Sequence, residues 1–86
     1  MVEDKLTCTI LFFATAAEAV GCDNQELTLK SGSTVKDVFD AIVQEHEQFA
    51  SLKNNCAVAI DTALCSSSTL LHDGCTVAFL PPVSGG

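Results

Sequence analysis

The chain has 86 residues, four Lys or Arg against eleven Asp or Glu, and a formal net charge of -7. That length supports one small domain, near the size at which a single core buries only about 60–65% of the unfolded chain's surface. The charge excludes the basic patches that nucleic-acid backbones and anionic membranes require, because the only cations are the scattered Lys5, Lys30, Lys36 and Lys53.

With 48% hydrophobic and 17% charged residues the chain is a globular domain rather than a disordered one. A partner, if there is one, is expected to present a basic face, although soluble proteins are often acidic without one. Five cysteines, Cys8, Cys22, Cys56, Cys65 and Cys75, are an odd number without a CxxC pair. Met1 opens onto Val2-Glu3-Asp4-Lys5 instead of an apolar secretory segment, and no run approaches the length of a membrane span. The expectation is a cytoplasmic protein with reduced thiols that serve as small buried hydrophobes, and no metal site.

In chain order, Leu6 to Ala14 reads as a strand with Leu6, Cys8, Ile10 and Phe12 on one face. The other face starts polar at Thr7 and Thr9 but turns apolar at Leu11 and Phe13, as if something covers that end. Alanine-rich Thr15 to Val20 predicts a short helical turn stopped by Gly21. Gln25 to Lys30 follows as a strand with one wet face, paired with the first. Ser33 or Thr34 caps a helix running to about His46, and Thr34 would place Asp37 at the third helical position. Val35, Val38, Phe39 and Ile42 form its buried stripe, and Lys36, Asp37, Asp40, Gln44 and Glu45 its solvated face.

Glu47 to Asn55 reads as a polar connection that tucks Phe49 and Leu52 beneath the core. A strand over Cys56 to Ile60 faces Val58 and Ile60 inward, Asp61-Thr62-Ala63 turns the chain, and Leu64-Cys65 begins a very short strand. Asp73-Gly74 then turns into a last strand with Val77 and Phe79 inward and Thr76, Ala78 and Leu80 outward. The expected architecture is α+β: a mixed sheet of four to five strands, one main helix packed across it, and the most apolar strands, first and last, side by side at its centre.

A folded domain over residues 1–80 is thus followed by a tail, Pro81-Pro82-Val83-Ser84-Gly85-Gly86. The prolines fix φ, donate nothing to a sheet ladder and launch a semi-rigid spacer. Two glycines give a fold nothing to pack. The ending is either a frayed terminus or a carboxylate at Gly86 carried on a thread thin enough for a narrow channel. Catalytic machinery is otherwise absent. His46 and His72 are lone and read as structural, no Ser, His and carboxylate set can be assembled, and Cys22 lacks an activating neighbour. The chain looks like a substrate or partner, not a catalyst.

The run Ile10-Leu11-Phe12-Phe13-Ala14, the Glu18 to Gly21 stretch, the Thr34-Val35 helix start, and Asp73-Gly74 followed by Val77-Ala78-Phe79-Leu80 and the Pro-Pro-Val-Ser-Gly-Gly tail closely resemble the small, sulfur-carrying subunit family of molybdopterin synthase, the MoaD-like branch of the ubiquitin-like β-grasp fold. The resemblance covers almost the whole chain from Thr7 onward. A terminal Gly-Gly alone also suits ThiS-like thiamine sulfur carriers and ubiquitin-like protein modifiers. The resemblance implies that an E1-like enzyme uses ATP to adenylate the Gly86 carboxylate. Sulfur then replaces AMP, leaving a C-terminal thioglycine and no permanently bound cofactor. It further implies a large catalytic subunit, in a 2+2 heterotetramer, that uses this sulfur to build the molybdopterin dithiolene from cyclic pyranopterin monophosphate. Phe13, Leu64 and Leu80 are the expected partner contacts. Ala17, where relatives often carry Arg, and Asp61, where Asn is common, depart from the family pattern.

Overall fold

Alternation at period two builds β1 (Lys5–Phe12), in which Leu6, Cys8, Ile10 and Phe12 are buried and the intervening side chains are exposed or half-exposed. The computed structural model describes residues 4–82, so the Val83, Ser84, Gly85 and Gly86 part of the tail lies outside the described residues. The strand stops at Phe12 rather than running to Ala14. Ala14 takes φ +50° to swing the chain into α1 (Thr15–Val20), so its apolar character marks a corner and not a pleat. Gly21 closes α1 in the left-handed region at φ +87°, and its N–H donates to the Ala17 carbonyl at 2.7 Å.

The chain returns as β2 (Asn24–Lys30), antiparallel to β1, with Leu27 opposite Cys8 and Leu29 opposite Leu6. Glu26, Thr28 and Lys30 on its other face are exposed, as expected of a strand with one wet side. Next comes α2 (Val35–Glu45). The Asp37 carboxylate reaches back to accept the Thr34 N–H at 2.8 Å, the reciprocal contact of a capping box. Val35, Val38 and Ile42 are buried, and on the wet face Lys36 Nζ meets Asp40 at 2.8 Å.

The polar connection after α2 is ordered as a 3-10 helix (Glu47–Leu52), which the sequence pattern did not disclose. Its six residues are too few for a helical stripe to show, but the turn has a clear task. It lowers Phe49, fully buried, into a cluster with Phe12, Phe39 and Phe79 at ring separations of 5.8, 5.2 and 5.2 Å. Leu52 packs at the cluster's margin, as expected.

Three strands complete the sheet: β3 (Ala57–Ile60), β4 (Ala63–Cys65) and β5 (Thr76–Leu80). Their order is β2-β1-β5-β3-β4. The first and last strands lie side by side and parallel near the centre, with Ile10 beside Val77 and Phe12 beside Phe79. β3 flanks β5 antiparallel, placing Val58 and Ile60 on the same inner face as Phe79 and Val77. With α2 across that face, this is the ubiquitin-like β-grasp fold.

Cys8 and Cys75 are fully buried side by side in the core, their Sγ atoms 3.1 Å apart. Burial first, and then the neighbouring Cys75, push the Cys8 thiol up to about 12. Fully buried, both side chains fill the core. Cys22 is exposed. Among the described residues no helix is long and apolar enough to cross a membrane.

Two outcomes follow from this core. Phe49→Ala should cost about 3–5 kcal/mol in chemical denaturation, the range for emptying a buried aromatic site. Under native conditions an alkylating reagent followed by peptide mass spectrometry should modify Cys22 first and spare Cys8 and Cys75 until the protein unfolds.

Candidate functional site

The inner face of the sheet is largely spent on the core, and the other face carries an open apolar surface. Side chains alternate, and the same parity that buries Val77 and Phe79 turns Thr76, Ala78 and Leu80 outward. Register then assembles a row across four strands. Leu11 lies beside Ala78, Ala78 beside Ala59, and Ala59 beside Leu64. Phe13 continues the line of Leu11, its N–H donating to the Phe79 carbonyl at 3.3 Å.

These residues line one depression of about 550 Å³, with Leu11, Phe13, Leu64 and Leu80 around Ala59 and Ala78, and Asp61, Thr62 and Thr76 on its polar side. The small alanines make the floor and the larger side chains the wall. Phe13 is 46% exposed and Leu64 74%, too much apolar surface in one place for a face meant only for water. All three expected contact residues, Phe13, Leu64 and Leu80, therefore meet at one site. Leu11, Ala59 and Ala78 belong to it as well. Leu11 was legible as the apolar turn of β1's outer face, whereas Ala59 signals nothing in sequence because an alanine suits either face. Ala59 is only 6% exposed although it points away from the core, since its neighbours on the face wall it in.

Pro81 follows Leu80 directly and is buried, and Pro82 is exposed. The tail thus departs from the strand that carries the middle of the face. Its remaining members, Val83, Ser84, Gly85 and Gly86, lie outside the described residues.

One correction concerns His72, read from sequence as lone. Its Nε2 lies 2.7 Å from Asp61 Oδ2, and its Nδ1 lies 3.2 Å from the Asp73 carbonyl oxygen. Asp61 Oδ1 accepts the Thr76 N–H at 2.9 Å. The partner stands across a hairpin, where sequence neighbours give no sign of it. Asp61's hydrogen bond, followed by the Asp73 carbonyl, raises the His72 pKa above its ordinary value. The Thr76 N–H, followed by His72, holds the Asp61 carboxyl below the usual range. His46 sits at the end of α2, its N–H on the Ile42 carbonyl at 2.8 Å. Among the described residues no hydrogen bond joins either imidazole to a thiol or a hydroxyl. Among the described residues no group of three or more His, Cys, Asp or Glu is placed to hold a metal ion.

The comparisons with known proteins are consistent with this geometry. The model of the ThiS family matches residues 10–86. A molybdopterin synthase sulfur carrier subunit from Chlamydomonas reinhardtii is 30% identical over 79 residues, covering 90% of this chain and 95% of the relative. Among solved structures, SAMP1 from Haloferax volcanii superposes with a TM-score of 0.84 at 26% identity, covering 93% of this chain and 99% of that one. A complex of subunits 1 and 2 of the molybdopterin-converting factor from Helicobacter pylori contains a chain with a TM-score of 0.63 at 29% identity, covering 94% of this chain and all of its counterpart. Fold, sequence and length agree along nearly the whole chain, and the protein belongs to the ThiS family.

Proposed function

We propose that this chain is the sulfur carrier and small subunit of molybdopterin synthase, with the Gly86 carboxylate as its working group. The observation that carries the reading is the apolar face around Ala59 and Ala78, whose central strand runs through Leu80 directly into Pro81 and Pro82. The names of the similar carrier subunits, and the likeness to a subunit of a two-subunit converting factor, support the same assignment.

In this reading the face docks in turn on two partners in the cytoplasm. The first is an E1-like adenylyltransferase, which uses ATP to convert the Gly86 carboxylate into an acyl adenylate with release of pyrophosphate. A carboxylate is a poor acceptor until its oxygen becomes part of a good leaving group, and AMP is one. A sulfur donor then displaces AMP to leave the thiocarboxylate. The second partner is the large catalytic subunit, in a 2+2 heterotetramer, where the thiocarboxylate surrenders sulfur to cyclic pyranopterin monophosphate to form the dithiolene. Gly85 and Gly86 suit a thread that must enter a narrow, water-poor site, because they carry no Cβ to widen it. The chain performs no catalysis itself. It supplies an address, the face, and a cargo position, the terminus.

The reading is tested in two parts. Phe13→Asp or Leu80→Asp should weaken binding of the large subunit at least about tenfold in titration calorimetry while changing folding stability by no more than about 1 kcal/mol, since Phe13 is exposed and Leu80, half-buried, points away from the core. A large stability loss would show them to be core instead. Incubation of the protein with ATP, an E1-like enzyme and a sulfur donor should shift its intact mass by the exchange of one oxygen for sulfur, without lysine adducts. Deletion of Gly86 should abolish both that shift and molybdopterin formation. Adducts on lysines of other proteins would instead identify a modifier.

A further inference from the structure

Leu64 is the most exposed apolar side chain of the docking face, yet it stands on the weakest support. Its strand, β4, has three residues, lies at the edge of the sheet and, among the described residues, pairs with β3 alone. The hairpin that delivers it turns at Asp61 and Thr62, both at positive φ, +48° and +77°. Neither is glycine, and a β-branched Thr in that region is held there at a cost. Something must offset this strain, and the contacts of Asp61 do so. Its N–H donates to the Thr76 carbonyl at 2.9 Å, its Oδ1 accepts the Thr76 N–H at 2.9 Å, and its Oδ2 meets His72 Nε2 at 2.7 Å. The hairpin is clasped to the start of β5 and to the loop before it.

The partners of His72 determine its protonation. Nε2 faces a carboxylate oxygen and Nδ1 faces the Asp73 carbonyl oxygen at 3.2 Å, and neither oxygen can donate. Both ring nitrogens must carry hydrogen for both contacts to be hydrogen bonds. That describes an imidazolium. A neutral ring keeps at most one of the two bonds and sets a lone pair against the other oxygen. The ring itself is exposed, and three further titratable groups lie on the segments next to the His72 backbone. The Asp73 carboxylate, from its own loop, accepts the Thr7 N–H at 2.9 Å. From β1 comes the Cys8 thiol, whose Sγ lies 4.0 Å from the His72 carbonyl oxygen, and beside it the buried Cys75 thiol. The carboxylates favour the cation, and the Cys8 thiol, kept neutral by burial, does not oppose it.

We propose that His72, as an imidazolium bridging the Asp61 carboxylate and the Asp73 carbonyl, is a positioning residue for the docking face, fixing the Asp61-Thr62 hairpin and through it the placement of Leu64. The inference rests on the docking role of that face for its value in binding. The clasp itself is a property of the isolated chain. Because the folded protein raises the His72 pKa, its contribution is fully present below the ordinary histidine value of about 6.5 and is lost as pH rises through the higher folded value. Asp61, whose pKa is lowered, supports the clasp at any pH above the ordinary carboxyl value of about 3.9. The clasp is therefore closed in mildly acidic solution and loosens on the alkaline side.

Nuclear magnetic resonance on the isolated protein tests the clasp. His72 should show both ring nitrogens protonated at about pH 6. The backbone amides of Leu64 and Thr76 should shift with the midpoint of His72. In His72→Ala the step should vanish, and in Asp61→Asn, which keeps an acceptor for the Thr76 N–H but removes the anion, the midpoint of His72 and the Leu64 step should move down together. A neutral His72 ring at that pH, or a Leu64 step that persists in His72→Ala, would overturn the proposal. In binding, wild type should hold the large synthase subunit about two- to fivefold more tightly than His72→Ala at about pH 6, with the two converging on the alkaline side. Equal affinities at that pH would overturn the part played in docking. If wild type bound no large subunit at any pH while the coupled amide step was present, the docking reading of the face would fall and the clasp would stand.

Discussion

The parallel contact between β1 and β5 is the constraint on which the rest of this protein depends. It joins the two ends of the domain, and parallel neighbours cannot be made by a simple hairpin, so everything between them serves as the crossover. Along it Ile10 meets Val77 and Phe12 meets Phe79, and those four side chains are the floor on which α2 and Phe49 pack. Shifted by one residue, the strands would expose the aromatic cluster and bury Leu11, Ala78 and Leu80. Register at this one seam therefore decides both what is core and what is surface.

Strands buried on both faces are normally covered by helices on both sides. Here α2 covers one face, while the other carries Leu11, Phe13, Leu64 and Leu80 around two alanines without cover from the described residues. A domain of this size has little core to spare, and leaving such residues outside gains nothing for folding. Their presence makes sense when a second protein supplies the missing layer. Because β5 bears the centre of that face and continues into Pro81 and Pro82, the start of the tail is tied to the position of the face. A partner that seats the sheet also fixes where the tail begins.

The aromatic cluster and the clasp show two ways of fixing geometry. Phe12, Phe39, Phe49 and Phe79 lock the inner side by packing, which no titration disturbs. The hairpin bearing Leu64 packs on that core through Val58, Ile60 and Cys65, but its turn is held in another way. It depends on a carboxylate, an imidazole and a strand N–H at the surface, where each contact competes with water. The core is thus rigid and the outer corner adjustable, which places the sensitive element at the rim of the docking face and away from the fold's foundations.

Much of this was legible in the chain itself. Period-two alternation in β1 and β5, the stripe Val35, Val38, Phe39 and Ile42, the cap at Thr34 with Asp37, and Gly21 as a helix stop are local patterns, and local patterns are written in order along the sequence. The outward parity of Phe13 and Leu80 followed from the same alternation. What sequence alone could not contain was anything requiring two distant segments to meet: the burial of Ala59 on the outer face, the 3-10 turn that lowers Phe49, the corner at Ala14, and above all the pairing of His72 with Asp61 across a hairpin. An alanine or a histidine carries no sign of its neighbours, because burial and protonation are set by what surrounds a group in space. The sequence determined the strands, both α-helices and their inward faces; only the tertiary structure decided which exposed residues share a face and which charges share a proton, since those depend on strand register and not on order.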